Sequence, residues 1–235
     1  MNAKKLSILI PLYNEAGTIG EVLERVAAVP LEGWGKEIIV VDDGSEDNSK
    51  IKIQNAKIRL KIQNCIILSH PVNRGKGAAI HTGLEAASGS AVIIQDADLE
   101  YDPADWPRML EEFEKHGGKA AVYGSRELAP EQRGYSHYVL GVRVLTGIAN
   151  LLYGAHLTDV YTCYKLLPSE VVRGLSLSAR GFEFEAEVTA RLLKRGIPIR
   201  EVPVHYRPRT FGEGKKIRVR DGAIGLWTLF RCRML

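Results

Sequence analysis

The chain has 235 residues, of which 45% are hydrophobic, enough to bury the core of one full domain. Its net charge of +4 is modest, and its three cysteines, Cys65, Cys163 and Cys232, stand far apart without C-x-x-C spacing. The number and spacing of the cysteines exclude a disulfide-stabilised scaffold and a cysteine zinc site, and they favour a reducing cytoplasm. No apolar stretch of the sequence is long and unbroken enough to span a bilayer.

Four strand-to-loop transitions follow one another in the first hundred residues. Apolar runs predict strands at 6–12, 37–41, 65–69 and 92–94, with helices near 19–29, 49–61 and 78–87 between them. Thr18 and Glu21 have the spacing of a capping box at the first helix. Right-handed crossovers between such units predict an α/β fold with a Rossmann-like, mostly parallel open sheet flanked by helices.

The second half of the chain continues the alternation less regularly. Asp102 and Pro103 predict a helix start, and the helix is expected to run to about residue 116. The further expected elements are a strand at 119–124, a helix at 138–153, an extended segment at 158–166, a helix at 183–195 and a strand at 199–204. Residues 206–216 are rich in proline, glycine and basic side chains, as in a loop, and 217–235 return to helical spacing.

The segment AVIIQDADLEYD at 91–102 carries the strongest chemical signal. Asp96, Asp98 and Glu100 follow a short apolar strand, at the edge where open α/β sheets bind ligands. Three carboxylates within five residues repel one another unless a cation holds them, and oxygen ligands suit Mg²⁺ or Mn²⁺. The pattern therefore predicts a metal site, and an acidic surface loop is the plain alternative.

Polar groups also follow the other predicted strands. Because the carboxyl ends of parallel strands meet at one edge of a sheet, these groups should line a common crevice. Carboxylates there suit the ribose and base of a nucleotide, basic side chains its phosphates, and the metal its diphosphate. The groups are Tyr13, Asn14, Glu15, Asp42, Asp43, Arg74 and Lys76. Each alone is more often a solvated loop residue, but their recurrence at successive strand ends favours a nucleotide site.

Five segments together resemble the family 2 glycosyltransferases of the GT-A fold. They are PLYNE at 11–15, VVDDGS at 40–45, NRGKGAA at 73–79, QDADLEYDP at 95–103 and YGSR at 123–126. Further segments are similar to the branch of hexosyltransferases that acts on dolichyl or polyprenyl phosphates. These are TDVYTCYKLLPSEV at 158–171, GFEFEAEV at 181–188 and the tail Arg209-x-x-Gly212-x-Gly214-Lys215. Glu100 stands where several members of that branch have Gln, and Gly214 where they usually have Ser, so the sugar nucleotide stays open.

The resemblance implies an inverting, metal-dependent hexosyltransferase. Its donor would be a nucleoside diphosphate sugar of the GDP-mannose or UDP-glucose type, and its acceptor a polyprenyl phosphate at the cytoplasmic membrane face. Residues 1–103 would form the nucleotide-sugar half and 104–205 the acceptor half of one domain. Residues 206–235 would form a basic lid loop and an amphipathic helix.

The resemblance also assigns roles residue by residue. The candidate donor-binding residues are Pro11, Tyr13, Glu15, Asp42, Asp43, Lys76 and Asp96, and the metal ligands are Asp96, Asp98 and Glu100. The candidate catalytic residues are Asp98, Arg126, Arg209 and Lys215. Arg126 and Arg143 are candidates for the acceptor phosphate, since guanidinium groups suit phosphate. Arg143 fits equally well as a charge on the solvated side of its helix.

The acceptor class turns on the need for a base. A sugar hydroxyl requires a general base, whereas a lipid phosphate is already an anion near neutral pH. Many members that act on hydroxyls carry an acidic base motif where this chain has GFEFE at 181–185. We interpret Glu183 and Glu185 as first-turn residues favoured by the helix dipole. Transfer to a hydroxyl, with one of them as base, stays the alternative.

Two other classes are weaker matches. A haloacid-dehalogenase-type phosphatase also has a D-x-D after a strand, but wants Thr or Val where Glu100 stands. The intact carboxylates, together with Arg209 and Lys215, argue against a nucleotide-binding module without catalytic activity.

The apolar residues of the C-terminal segment are typical of a helix that packs partly on the core and partly against a membrane surface. Its basic residues are Lys215, Lys216, Arg218, Arg220, Arg231 and Arg233, and they flank the apolar Ile224, Trp227 and Phe230. Because basic and aromatic residues are not interleaved as in a nucleic-acid groove, an anionic lipid surface is the expected partner. A membrane-spanning partner protein is compatible with that placement. We expect the loop 207–216 to be mobile without donor and to close over the diphosphate.

Overall fold

The computed structural model describes residues 4–129, 136–209 and 219–235, with only the backbone at 136–138 and 219. The strands are β1 (Lys4–Leu12), β2 (Trp34–Asp42), β3 (Cys65–Ser69), β4 (Ala91–Ile94), β5 (Ala121–Ser125), β6 (Lys165–Pro168) and β7 (Ile199–Pro203). The first four helices are α1 (Ile19–Ala28), α2 (Ser49–Arg59), α3 (Lys76–Ala86) and α4 (Trp106–Lys115). The others are α5 (Ser136–Tyr153), α6 (Ser169–Gly174), α7 (Phe184–Lys194) and α8 (Val219–Met234).

Across the described ranges, these seven strands form one sheet in the order β3-β2-β1-β4-β6-β5-β7. The strands β1 to β4 are mutually parallel, β5 and β7 are parallel, and β6 runs antiparallel to both β4 and β5. The predicted mostly parallel α/β sheet with flanking helices is confirmed. The parallel register places Leu12 beside Asp42, so the loops after β1 and β2 leave the sheet together.

The central strands are apolar without alternation because helices cover both faces of the sheet. Ile8, Ile39 and Ile93, on β1, β2 and β4, are fully buried. A second apolar cluster lies between α5, α7 and α8, where Ala149, Ala186 and Leu229 have no exposed surface. The C-terminal helix is therefore packed onto the domain.

The expected extended segment at 158–166 is only partly a strand, since β6 begins at Lys165. The backbone N–H groups at 158–160 bond to side chains instead of to a neighbouring strand. The backbone N–H groups of Thr158 and Asp159 donate to the Glu201 carboxylate, and that of Val160 donates to Thr146 Oγ1. Such side-chain partners hold the backbone in an irregular path that no local sequence pattern reports.

The expected capping box at α1 is absent, because Thr18 at the N-cap makes no side-chain capping bond. Its hydroxyl donates to the backbone carbonyl of Ala97 at 2.6 Å. By contrast, Asp102 accepts from Ala104 N ahead of α4, as predicted. In the ranges that the structure covers, no helix combines the length and apolar character that crossing a bilayer requires.

Candidate functional site

The loops after β1 and β2 are locked together at the carboxyl edge of the sheet. The backbone N–H groups of Asn14 and Glu15 donate to the hydroxyls of Ser45 and Ser49, at 2.9 and 3.0 Å. Asn14 has φ of 50°, in the left-handed region that asparagine tolerates better than most residues. This turn presents Tyr13 and Glu15 beside Asp42. Pro11 sits on β1 opposite Val41 in the same crevice wall.

The two adjacent aspartates of the β2 loop have different surroundings. Asp42 is fully buried, and its Oδ1 accepts from Ser45 N at 3.0 Å. Its Oδ2 has no hydrogen-bond partner among the described residues, and Lys50 Nζ lies 3.4 Å away. A buried oxygen without a donor is costly, so Asp42 is suited to accept a hydrogen bond from a ligand.

Asp43, also predicted to bind the donor, holds the chain instead. It accepts from the backbone N–H groups of Arg74 and Gly75 at 2.9 and 2.7 Å, and His70 Nδ1 lies 2.5 Å from its Oδ1. These contacts fix the turn between β3 and α3. The two Asp43 oxygens are directed at that turn, because three groups there already use them.

The carboxylates after β4 meet cations of the chain itself. Lys76 Nζ lies 2.8 Å from Asp96 Oδ1, and the Arg209 guanidinium lies 2.9 Å from Asp98 Oδ2. Burial, reinforced by the negative charges of Asp96 and Glu100, raises the pKa of Asp98 to about 7. Burial also acts on Asp96, but the charge and hydrogen bond of Lys76, the hydrogen bond of Cys163 and the charge of Arg209 together outweigh it and lower the pKa of that carboxyl. The cluster therefore demands a compensating positive charge.

Residues 206–209, here termed the strap, cross the carboxylate loop. Glu100 holds the strap, because Tyr206 Oη donates to its Oε2 at 3.1 Å and Arg209 N donates to its Oε1 at 2.7 Å. The Arg209 guanidinium then donates to Glu15 at 2.9 Å as well as to Asp98. Lys215, the other predicted tail residue, lies outside the described residues, as do Gly212, Gly214, Lys216 and Arg218.

The three predicted metal ligands are not gathered into a ready three-carboxylate site. Among the residues described, no three His, Cys, Asp or Glu side chains converge in a geometry that could hold a metal ion. The physical reason is that Glu100 is occupied by the strap. Asp96 and Asp98 still fit Mg²⁺ or Mn²⁺, because such ions are commonly held by one or two carboxylates together with substrate phosphates. The arginine set between Asp98 and Glu15 marks the position where positive charge is stabilised.

Two arginines were predicted for the acceptor phosphate, and the structure treats them differently. Arg126 forms a two-bond pair with the buried Asp159, at 2.7 and 2.8 Å, and its guanidinium carbon lies 5.0 Å from the centre of the Tyr206 ring. That ring places it beside the strap and the carboxylate loop. Arg143 is half exposed and pairs with Glu127 at 2.6 Å, on the solvated side of α5.

Sequence reasoning missed a buried chain of charges behind Asp96. Lys76, predicted to bind phosphate, lies between Asp96 and Glu185, with its ammonium 3.2 Å from Glu185 Oε1. Glu185 lies in the first turn of α7 as expected, but it is buried and its other oxygen lies 2.5 Å from Lys165 Nζ. Glu183 is also engaged, since it accepts from the backbone N–H groups at 180 and 181. The sequence signal for this chain of charges was Lys165, a lysine at the start of an otherwise apolar strand.

The glycines of NRGKGAA allow the two halves of the chain to touch. A side chain at Gly77 would meet the carbonyl oxygen of Ala179, and one at Gly75 would meet that of Arg180. Gly75 also has φ of 99°, a conformation that other residues rarely adopt. Ala78 N donates to Arg180 O at 3.0 Å across this contact. The motif therefore serves close packing between the start of α3 and the loop before α7.

Comparison with known proteins begins with a family match. The sequence model of glycosyl transferase family 2 matches residues 7–175. Dolichol-phosphate mannosyltransferase of Pyrococcus furiosus is 29% identical over 216 residues, which are 90% of this chain and 59% of the relative. Undecaprenyl-phosphate 4-deoxy-4-formamido-L-arabinose transferase of Pseudomonas fluorescens is 32% identical over 215 residues, 89% of this chain and 59% of the relative. The chain thus spans little more than half the length of such relatives.

Solved structures share the fold. Glucosyl-3-phosphoglycerate synthase from Mycobacterium tuberculosis, in complex with Mn²⁺, UDP and phosphoglyceric acid, superposes with a TM-score of 0.76 at 22% identity. The superposition covers 98% of this chain and 78% of the synthase chain. The predicted GT-A fold is confirmed by this likeness.

Proposed function

Since the chain belongs to glycosyl transferase family 2, we propose that it transfers a hexose from a nucleoside diphosphate sugar to a polyprenyl phosphate. The observation that carries the proposal is an oriented cation, Arg126, together with internal contacts at both residues that could serve as a base for a hydroxyl acceptor. Arg126 is held by Asp159 beside the carboxylate loop, while both candidate base residues, Glu183 and Glu185, are bound within the chain.

The donor would lie along the carboxyl edge of β1, β2 and β4. Asp42 offers its buried oxygen to the base or ribose, with Pro11 and Tyr13 beside it. Asp96 and Asp98 would hold a divalent ion, and Arg209 and Lys215 would face the diphosphate. When bound, Mg²⁺ or Mn²⁺ supplies charge stabilisation for the departing diphosphate. The division into a donor half, 1–103, and an acceptor half, 104–205, follows from this placement.

The acceptor end supports a phosphate more than a hydroxyl. A hydroxyl acceptor must lose its proton to a base within hydrogen-bond reach. Glu185 is buried between Lys76 and Lys165, whose ammonium groups lie 3.2 and 2.5 Å from its two oxygens. A phosphate needs only a positioned cation, and Arg126 is such a cation. An oxygen of the phosphate forms the new bond to the anomeric carbon while the bond to the nucleoside diphosphate breaks, so no proton transfer is required.

The direct test is a panel of radiolabelled nucleotide sugars incubated with the protein, Mn²⁺ and a membrane lipid extract. We expect one donor, of the GDP-mannose or UDP-glucose type, to give label in the organic phase and to release nucleoside diphosphate in equal amount. Release of diphosphate without lipid label would contradict the acceptor assignment. Binding of nucleotide without any release would contradict the enzymatic function.

We further propose a membrane-facing surface on α5 and α8, at the cytoplasmic side of the membrane. The two helices pack together, with Tyr153 Oη donating to Leu229 O at 2.7 Å. Their outer sides expose large apolar residues, among them Leu151 at 84% and Trp227 at 60%. The exposed Arg220 and Arg233 lie on α8 together with Trp227. Basic and apolar side chains on one helix suit the anionic headgroups and the apolar interior of a lipid surface. A longer protein or a membrane-spanning partner would add to this attachment.

Vesicle sedimentation tests that surface. Leu151→Glu should weaken binding to vesicles containing phosphatidylglycerol by about tenfold or more, because burying a leucine contributes about 1.5–3 kcal/mol. Ile58→Glu on α2, where the side chain is 73% exposed on the opposite edge of the sheet, is the matched control and should bind like the parent. Parent binding should also fade as salt rises. Equal losses in the two variants, or salt-independent binding to neutral vesicles, would contradict the assignment.

A further inference from the structure

Lys165 is a fully buried ammonium at the start of β6. It donates to the carbonyl oxygens of Val160, at 3.1 Å, and Thr162, and it lies 2.5 Å from Glu185 Oε2. The ring of Tyr123 lies 4.7 Å from its nitrogen. Burial lowers the pKa of Lys165, and the charge of Glu185 opposes that shift. A buried ion pair adds little or nothing to stability compared with apolar residues of the same volume, so a second role deserves a test.

On one side, Lys165 fixes the irregular segment that carries Asp159. Its two carbonyl partners follow Asp159 in the chain, at positions 160 and 162. Asp159 in turn orients Arg126 through two hydrogen bonds and also accepts from the backbone N–H of Arg126 at 3.2 Å. Glu201 holds the backbone N–H groups of Thr158 and Asp159, so Lys165 supplies the matching restraint on the carbonyl side of the segment.

On the other side, Lys165 begins a line of alternating charges. Glu185 separates it from Lys76, and Lys76 in turn touches Asp96 at 2.8 Å. The four groups run from β6 through α7 and α3 to the tip of β4, and each positive group lies next to a negative one. A displacement of Lys165 would therefore change the position of Asp96, the first aspartate of the carboxylate loop.

We propose that Lys165 is a positioning residue that couples the arginine offered to the acceptor phosphate with the aspartate offered to the donor diphosphate. It touches neither substrate and acts through Asp159 in one direction and through Glu185 and Lys76 in the other. The proposal rests on the proposed function and deepens it, by naming the group that holds the two ends of the site in register.

The test uses Lys165→Met, Glu185→Gln and the double variant. Lys165→Met removes one of the two cations that lie beside the buried Glu185 carboxylate. The melting temperature of this variant should therefore fall strongly. The double variant removes both charges and should recover much of that fall. Its kcat/KM for a polyprenyl phosphate should stay about 100-fold below the parent, because the two carbonyls are still unheld and a shift of about an ångström costs that much. A merely structural lysine would instead regain stability and transfer together.

Lys36→Met is the matched control. Lys36 Nζ also donates to three carbonyl oxygens, those of Val26, Ala27 and Val29 at the end of α1, far from the site. This variant should lose stability without a change in kcat/KM. The comparison separates loss of a carbonyl-bound lysine in general from loss of this one.

Amide hydrogen exchange gives a readout that does not depend on catalysis. The segment 158–164 should exchange faster in the double variant than in the parent or in Lys36→Met, while β1 stays unchanged. If the parent itself transfers no sugar, the proposed function fails, and exchange still decides the inference. Parent-like exchange over 158–164 in the double variant, or transfer that recovers with stability, overturns the positioning role.

Discussion

Replacing Asp98 with alanine is expected to lower the rate of hexose transfer by about 1,000-fold or more, because losing a metal ligand beside a diphosphate removes several kcal/mol of transition-state stabilisation. The fold should persist. Burial and two neighbouring carboxylates raise the pKa of Asp98 to about 7. Removing the Asp98 carboxylate therefore relieves its repulsion with those neighbours in the absence of ligand. Arg209 keeps its pair with Glu15 in the variant.

Asp102→Ala is the matched control for Asp98→Ala. Asp102 stands in the same loop but caps the following helical turn through Ala104 N at 3.0 Å. Its loss should cost about 1 kcal/mol of unfolding free energy and leave transfer unchanged. Both variants are compared by melting temperature and by transfer with Mn²⁺ or with a chelator. Near-parent turnover of Asp98→Ala under chelation would show that the metal assignment is wrong.

Arg209→Ala is expected to reduce transfer by about 100-fold while UDP or GDP affinity changes little. In the structure, the guanidinium of Arg209 neutralises Glu15 and Asp98. With a divalent ion held at Asp96 and Asp98, the guanidinium of Arg209 would be free to face the leaving diphosphate. A contact made mainly in the reacting state affects turnover more than ground-state binding.

Arg207→Ala separates this role from a general loss of basic charge. Arg207 is exposed, and its backbone N–H donates to Glu100 O at 2.8 Å, a bond that alanine keeps. It should transfer sugar like the parent. Equal transfer by Arg209→Ala and the parent would contradict the role. The predicted closing of the loop 207–216 stays a prediction, because its residues beyond 209 lie outside the described part of the chain.

The fold could be predicted because its strands are short apolar runs with polar tips. β3 was predicted at its observed bounds, and the other predicted strand bounds lie within three residues of the structure, apart from the segment before β6. The shared crevice also followed, since parallel topology alone brings the tips of β1, β2 and β4 to one edge. The segment before β6 did not follow, because its partners are side chains such as Glu201, about forty residues away.

The ion pairs that the site residues make within the chain could not be predicted, for a related reason. Sequence shows which charges exist but not which of them pair within the chain. Arg209 meets Glu15 across 194 positions, and Lys76 at the start of α3 meets Glu185 in the first turn of α7. Lys76 and Asp43 have contacts inside the protein that the sequence did not indicate, and their predicted binding of the donor stays a prediction. In the sequence, a lysine at the start of an apolar strand, Lys165, indicates an internal partner.

The central claim is that the acceptor is a phosphate. The measurement that tests it most directly supplies purified protein with Mn²⁺, a labelled donor, and either a polyprenyl phosphate or the polyprenol of the same length. We predict a labelled lipid with the phosphate alone, and no dependence on an added base. Equal or faster transfer to the polyprenol, or to a soluble sugar hydroxyl, would contradict it.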